Sequence, residues 1–251
     1  MKYFRIITGA IFLFTILAWL GCEKDEVDPN DMGGETNLEL TKVGGKFPVS
    51  LDAGTFIPGL QNLKDSVIIA KNDNGIVTVR GNFGFDTTFT NGLAEALGIS
   101  TLPRDLQQPI IDKYIKRFSA TLDTSNKLAM SVTADIKLKV TSEGIQEFHS
   151  SNGDLSKPFT IVKYSANVGD KYEFTNSDGI KVTRTVAYKS TVDDYDVGFW
   201  KLKVIKVEET KDDPLTEKIT YVTNHKYGLV GVILKTKNGK ELKIGIFPPT
   251  L

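Results

Sequence analysis

One stretch, residues 128–140, restricts the fold more than any other part of the sequence. Its apolar residues fall at every second position, and polar or small side chains fill the positions between them. A period of two places alternate side chains on opposite faces of a β-strand, which predicts a strand of about 13 residues with one buried face. Strands usually have only about 5–6 residues. A strand this long therefore predicts a curved or barrel-like sheet.

The remainder of the chain also favours antiparallel strands joined by tight turns. Asn74-Gly75, Asp178-Gly179 and Asn238-Gly239 are typical of two-residue hairpin turns, because these residues tolerate positive φ angles. Near Val204 the alternation of apolar residues moves by one position, so that the other set of side chains faces inward, which predicts a β-bulge. Further strand candidates lie at residues 159–164, 171–174, 180–188, 199–207, 217–223, 229–236 and 242–247.

Residues 91–118 break this pattern, because their apolar residues recur at nearly every fourth position. Gly98 is a natural helix C-cap, and Thr101 and Pro103 are typical of a helix start. The sequence therefore predicts an α+β fold, predominantly antiparallel β. We expect a large bent sheet or partial barrel with a helical insert at about 91–118 packed against it.

The N-terminus has the pattern of an export signal. Lys2 and Arg5 precede an apolar run at residues 6–20, and Gly21 and Cys22 follow it. A membrane-spanning helix needs about 20 apolar residues, so this run is short for a permanent span. Cys22 is the only cysteine in the chain.

The residues Trp19-Leu20-Gly21-Cys22 resemble the lipobox of bacterial lipoproteins, in which a small residue precedes the lipid-acceptor cysteine. The sequence departs from that pattern at Trp19, where the family usually carries Leu, Val or Ile. The following residues 23–26, Glu-Lys-Asp-Glu, resemble the export tag of Bacteroidota lipoproteins. The resemblance implies lipidation at Cys22 and anchoring to the outer membrane, on the cell surface or on its periplasmic face. An uncleaved anchor or a secreted protein with an incidental cysteine are the alternatives.

Three segments are predicted along the chain. Residues 1–21 form the signal peptide, and residues 22–46, which are polar and acidic, form a flexible tether that carries the lipid. Residues 47–251 form a β-rich globular domain. A boundary near residues 155–158 could divide this domain in two, although one continuous sheet is also consistent with the pattern.

Charge and motifs exclude several classes of function. The 31 basic side chains balance the 31 acidic ones, so the chain lacks the electrostatic footprint of a nucleic-acid-binding protein. His149 and His225 have no further ligand-type residues at metal spacing, and we predict neither a metal site nor a cofactor. The sequence also contains no nucleophile elbow, zinc-protease motif or phosphate-binding loop.

Two other features are weighed against structural roles. Asp193, Asp194 and Asp196 form an acidic cluster that could hold Ca²⁺, but its spacing is typical of a solvated turn. Trp200 alternates with lysines in step with Leu202, which predicts a place in the core rather than an exposed platform.

Three hypotheses for the function remain open. The first is a non-enzymatic binding domain, displayed on the outer membrane, for a protein or glycan partner. The second is a carrier of an apolar ligand or lipid, which predicts an apolar cavity beneath the helix. The third is a hydrolase with unrecognised carboxylates, which predicts ionisable side chains that converge in one cleft.

Overall fold

A computed structural model describes residues 32–52, 65–85, 91–92, 94–95, 97–123, 125, 130–198 and 200–248. Within them the chain is almost entirely β, with one long helix, α1 (Arg104–Arg117). The strands are β1 (Lys46–Asp52), β2 (Asp65–Asp73), β3 (Ile76–Phe85), β4 (Ala120–Asp123), β5 (Met130–Thr141), β6 (Gly144–Glu147), β7 (Phe159–Lys163), β8 (Lys171–Thr175), β9 (Lys181–Lys189), β10 (Tyr195–Asp196), β11 (Lys201–Leu202), β12 (Ile205–Lys211), β13 (Thr216–Asn224), β14 (Gly228–Thr236) and β15 (Glu241–Ile246).

Thirteen of the described strands form one antiparallel sheet. Its order is β7-β6-β5-β3-β2-β1-β15-β14-β13-β12-β9-β8. The thirteenth strand, β4, lies off this path and pairs with residues 131–134 of β5. The N-terminal strands form one half and the C-terminal strands form the other, and β1 pairs with β15 where the halves meet. The strands on both sides of residues 155–158 lie in this one sheet, so the domain boundary that the sequence left open there does not divide it.

The two edges of the sheet, β7 and β8, meet through side chains. Phe159 stacks on Phe174 with ring centroids 4.0 Å apart. Tyr172 Oη accepts a hydrogen bond of 3.1 Å from the backbone N–H of Lys163. The sheet is therefore a nearly closed barrel whose seam is held by side-chain contacts, and the predicted α+β class agrees with this architecture.

The long strand predicted from the alternating pattern is present as β5, which has 12 residues. Val140 belongs to the inner core, whereas Lys137 on the opposite face is exposed. The inner core is formed by aliphatic residues from both halves of the sheet and by one tyrosine: Val77, Val140, Ile145, Ile161, Val162, Ala166, Val186, Ile205, Val207 and Tyr221.

Turn and bulge predictions are also confirmed. Asn74 and Gly75 have φ angles of 49° and 88° and join β2 to β3. The pairing of β12 with β9 shifts register between Lys206 and Val207. Close to this shift, Val204 packs on the outer face of the sheet and Ile205 on the inner face.

The helix α1 lies across one end of the barrel, which we call the helix end. Pro103 immediately precedes α1, as predicted. Tyr114 Oη donates a hydrogen bond of 3.0 Å to Asp213 Oδ2, in the connection between β12 and β13. Arg117 forms an ion pair with Asp178, in the connection between β8 and β9. These contacts bind α1 to the ends of two hairpins.

Residues 32–45 pack across the opposite end of the barrel, which we call the N-terminal end. Met32 is only 3% exposed. The carbonyl of Glu35 accepts a hydrogen bond of 2.9 Å from Ser142 N, and the carbonyl of Thr41 accepts one of 3.0 Å from Asn72 Nδ2. These residues, which the composition assigned to the tether, therefore belong to the barrel.

Candidate functional site

Cys22, the predicted lipid acceptor, lies outside the described residues, as do the signal peptide at residues 1–21 and the acidic residues 23–26. The lipidation hypothesis therefore continues to rest on the sequence. The described residues do hold a prominent group of ionisable side chains that the sequence analysis did not predict.

This group, which we call the charge cluster, lies inside the barrel and consists of Glu147, Arg184, Glu209, Lys211 and Tyr221. Its members come from the neighbouring strands β9, β12 and β13 and from β6, which lies on the other side of the seam. The side chains of Arg184 and Glu147 are 0% exposed, that of Glu209 is 2% exposed and that of Lys211 is 11% exposed. The cluster is thus buried in the same interior as the aliphatic core.

Arg184 is the centre of the charge cluster, and all three of its nitrogens are engaged. Nη2 lies 2.8 Å from both Glu147 Oε1 and Glu209 Oε2, and Nε donates a bond of 2.9 Å to the same atom of Glu209. Nη1 donates to the carbonyl oxygens of Thr160 at 2.8 Å and Phe159 at 3.3 Å. Arg184 therefore ties β9 to β6, β12 and the edge strand β7.

The remaining contacts of the two carboxylates come from neighbouring groups. Tyr221 Oη donates a bond of 3.0 Å to Glu209 Oε2, and Lys211 Nζ donates one of 3.0 Å to Glu209 Oε1. Glu147 Oε2 accepts a bond of 2.9 Å from Ser150 N and lies 2.9 Å from His149 Nδ1. Both carboxylates are thus surrounded by donors.

This environment keeps both carboxylates ionised. Burial alone would raise the pKa of Glu147, but His149 and Arg184 outweigh it and hold that pKa well below its usual range. Burial also opposes the ionisation of Glu209, yet Arg184 and Lys211 lower its pKa to about 2. Burial, together with the nearby Glu209 carboxylate, raises the pKa of Tyr221 well above its usual value.

The protonation states of the cluster limit its chemistry. A glycosidase-type hydrolase needs one carboxylic acid that is protonated near neutral pH. Glu147 and Glu209 are instead two anions that share one guanidinium between them. Their geometry suits an ion pair that joins strands, and this pair offers no general acid for the hydrolase hypothesis.

The sequence did carry a signal for the charge cluster. Arg184 lies two positions before the core residue Val186, and Glu209 lies two positions after the core residue Val207. A charged residue in the inward phase of a strand must find a partner of opposite charge. Which partner it finds depends on the closure of the barrel, and a strand pattern does not specify that closure.

The acidic residues and histidines singled out from the sequence are not brought together. Asp193 accepts a bond of 3.0 Å from Lys203 N and Asp196 one of 2.9 Å from Gly198 N, both in an exposed connection. His225 is exposed in the turn between β13 and β14. His149 lies at the helix end, where the Phe118 ring is 5.3 Å away.

Trp200 is exposed, so the prediction that it belongs to the core was wrong. It lies beside the hairpin of β10 and β11 and is 46% exposed. The residues of this hairpin that pack on the sheet are Tyr195 and Leu202, which cover Val204 and Val222. Alternation identified the inward face of Leu202, but the connection before β11 turns Trp200 away from the sheet.

The connection from β9 to β12, which carries Trp200, also carries one tyrosine, and a second tyrosine and a lysine flank it. Tyr188 is 38% exposed. Lys206 Nζ lies 5.2 Å from the ring centroids of both Tyr188 and Tyr195, in the range of cation–π contacts. We call the four residues on or beside this connection, Tyr188, Tyr195, Trp200 and Lys206, the aromatic face.

A depression of ≈ 620 Å³ lies on the outer face of the sheet. Its lining includes Lys71, Arg80, Asp135 and Lys137, and Arg80 binds Asp135 through two hydrogen bonds of 2.7 Å. The depression is lined mostly by charged and hydroxyl-bearing residues and lies outside the barrel. It is therefore not the apolar cavity beneath the helix that the carrier hypothesis predicts.

Among the described residues, no group of three or more His, Cys, Asp or Glu side chains is placed to hold a metal ion. No helix in that part of the chain is long and apolar enough to cross a membrane. No family model matches the chain, and neither a curated protein nor a solved structure matches it.

Proposed function

We propose that the chain is a lipid-anchored protein of the outer membrane, displayed at the cell surface, whose barrel is a non-enzymatic binding domain. The anchor in this proposal is Cys22, on the lipobox-like residues that precede it. The observation that supports binding is the exposed aromatic face, because tryptophan and tyrosine are enriched where proteins contact their partners.

The chemistry of the aromatic face favours a protein partner. Trp200 offers an exposed apolar surface, and Asp194 and Lys206, on or beside the same connection, add one charge of each sign. Asp194 contacts the hydroxyl of Tyr188 and accepts a bond of 2.6 Å from Ser190 Oγ. A mixture of aromatic and charged groups held in place is typical of the strongest contacts in protein interfaces.

Photo-crosslinking on intact cells tests the binding function. A photoreactive phenylalanine analogue replaces Trp200 in one strain and Leu155 in the control strain, because Leu155 is similarly exposed, at 45%, but lies at the helix end. We expect one discrete crosslinked protein from position 200 and none from position 155. No adduct at position 200, or the same adducts at both, would contradict a protein partner. Specific retention on immobilised envelope glycans would indicate a glycan instead.

Two further measurements test the anchor and the location. Mass spectrometry of the membrane fraction should find an N-terminal, lipid-modified Cys22. An unmodified cysteine or an intact Met1 would rule out the lipoprotein. Protease added to intact cells should remove the barrel, whereas protection until the outer membrane is opened would place the barrel on the periplasmic face.

A further inference from the structure

The point at which the described chain joins the barrel limits how far the barrel can lie from the anchor. Met32 packs at the N-terminal end beside Gly144, the first residue of β6. Cys22 precedes Met32 by ten positions. A chain of that length spans at most about 33–36 Å when fully extended. If Cys22 carries lipid, the N-terminal end is therefore the end of the barrel that this short connection holds near the bilayer.

The most exposed large hydrophobic side chains of the described residues lie at the same end. They are Val43, Val192 and Val168, which are 64%, 61% and 60% exposed. Val43 precedes β1, Val168 lies between β7 and β8, and Val192 follows β9. The strand directions place all three connections at the N-terminal end. A valine that stays this exposed buries little of its apolar surface when the chain folds. That surface is therefore available for contact with lipid.

Val168 and Val192 lie on neighbouring connections. The turn at residues 164–170 contacts the end of β9, because Lys189 Nζ donates to the carbonyl oxygens of Tyr164 at 3.1 Å and Ala166 at 2.7 Å. Gly169 N donates a bond of 2.8 Å to the carbonyl of Val186. The strands β6 and β7, where Met32 packs, adjoin this turn.

The turn that carries Val168 is held in one conformation. Asn167 N donates a bond of 2.8 Å to Asp170 Oδ2, and the carbonyl of Asp170 accepts one of 2.9 Å from Val186 N. Gly169 has a φ of 97°, which a residue with a side chain rarely adopts. Val168 is therefore presented on a fixed turn that needs no rearrangement to reach a surface.

We propose that the N-terminal end of the barrel rests on the lipid surface, with Val168 and Val192 inserted at the level of the headgroups. The proposal depends on the lipid anchor of the proposed function. Exposed apolar side chains that leave water at the interface add to the attachment that acyl chains provide. Lys171, the first residue of β8, is exposed and can extend its charged end toward the headgroups. This orientation directs α1 away from the membrane.

Tryptophan fluorescence tests this orientation. The full chain carries Trp19→Phe and Trp200→Phe, and one new reporter is introduced as Val168→Trp or, in the matched control, as Leu155→Trp at the helix end. Each protein is reconstituted through its N-terminal anchor into vesicles of phosphatidylethanolamine and phosphatidylglycerol that contain brominated phosphatidylcholine. Urea melts of both variants confirm that they are folded.

Interfacial side chains lie about 5–10 Å into the boundary between headgroups and acyl chains, which is within reach of the bromine atoms. We therefore expect the Val168→Trp variant to lose most of its emission and to shift to shorter wavelength, and the Leu155→Trp variant to change in neither respect. Equal quenching of the two variants, or none in Val168→Trp, would overturn the proposal. In the unmodified chain, vesicles should also slow hydrogen exchange of residues 164–170, and unchanged exchange would count against it.

The design separates this inference from the proposed function. If mass spectrometry finds Cys22 unmodified, the lipid-anchor proposal fails, but the same chain can be coupled through this single cysteine to maleimide-bearing lipids. Quenching of the Val168→Trp variant then supports the docking surface without the natural lipid. If Cys22 is lipidated and that variant is not quenched, the anchor stands and the docking surface is refuted.

Discussion

Replacement of Arg184 by methionine should destabilise the barrel more than any loss of a surface charge. Arg184→Met keeps a long apolar side chain but leaves Glu147 and Glu209 buried without the guanidinium that neutralises them. Removal of one partner from a buried ion pair costs about 3–5 kcal/mol, because the other charge remains desolvated.

The remaining contacts set where in this range the loss should fall. Glu209 keeps Lys211 Nζ at 3.0 Å, and Glu147 keeps the N–H of Ser150 at 2.9 Å. These donors compensate part of each charge, so the losses at the two carboxylates should not add fully. We expect a loss of about 3–5 kcal/mol, which is a large share of the 5–15 kcal/mol typical of folded proteins.

Urea unfolding at pH 7 measures this loss, and Arg80→Met is the matched control. Arg80 also binds a carboxylate through two hydrogen bonds, to Asp135, but its side chain is 54% exposed. Solvent screens such a pair, so the control should leave the unfolding midpoint almost unchanged. Both variants replace an arginine by methionine, and they differ in whether that arginine is buried or exposed.

The stability difference between wild type and Arg184→Met should also change with pH in one direction. Glu147 and Glu209 have folded-state pKa values below the value of about 4.3 expected in an unfolded chain. Their contribution to stability is therefore complete above pH 4.3 and is lost as the pH falls toward their folded-state values. Without Arg184 the pKa values of both carboxylates are less strongly depressed, so the difference in unfolding free energy between wild type and variant should narrow from pH 7 to pH 4.

Two results would refute this reasoning. The first is an Arg184→Met midpoint as close to wild type as that of Arg80→Met. The second is a gap of the same size at pH 4 and pH 7. A triple variant, with Arg184→Met, Glu147→Leu and Glu209→Leu, should regain part of the lost stability, because both buried carboxylates are gone and Lys211, which is 11% exposed, is the one member of the cluster left charged.

Two further substitutions test the packing of the barrel. Gly144→Ala should destabilise the barrel strongly, because a Cβ at this position would lie 2.1 Å from the carbonyl oxygen of Val162. Gly84→Ala is the control and should have little effect, because the atom nearest to its Cβ would be 4.0 Å away. The urea unfolding midpoints of the two variants test this difference. Tyr114→Phe removes the hydrogen bond to Asp213 and should cost about 1 kcal/mol, with faster hydrogen exchange in α1. Unchanged exchange in α1 would mean that this bond does not hold the helix.

The parts of the fold that could be predicted are those encoded by neighbouring residues. The alternation in β5 and the Asn74-Gly75 turn depend on a few adjacent side chains, and both are present in the structure. The shift near Val204 likewise reflects a local change in which side chains of the strand face the interior. These features need no knowledge of which strands pair, so the sequence pattern is sufficient for them.

The parts that could not be predicted depend on contacts between distant strands. The partner of Arg184 is set by which strands face β9 across the interior, and that follows from the order of the whole sheet. The exposure of Trp200 follows from the connection before β11, which interrupts the alternation. The place of residues 32–45 at the N-terminal end is also tertiary, because their composition alone resembles that of a tether.

The pairing of the first strand with the last has a consequence for how the protein folds. Val49 of β1 faces Ile246 of β15, so the two halves of the sheet cannot join until nearly the whole chain is available. Contacts between residues so far apart in sequence slow folding, because the entropy of closing the intervening chain is lost before the contact forms. The seam between β7 and β8 is bridged by one short turn and closes locally. A circular permutant opened between residues 164 and 170 makes β15 and β1 neighbours in sequence, so it should keep every paired strand, join the two halves early and close the seam between β7 and β8 last.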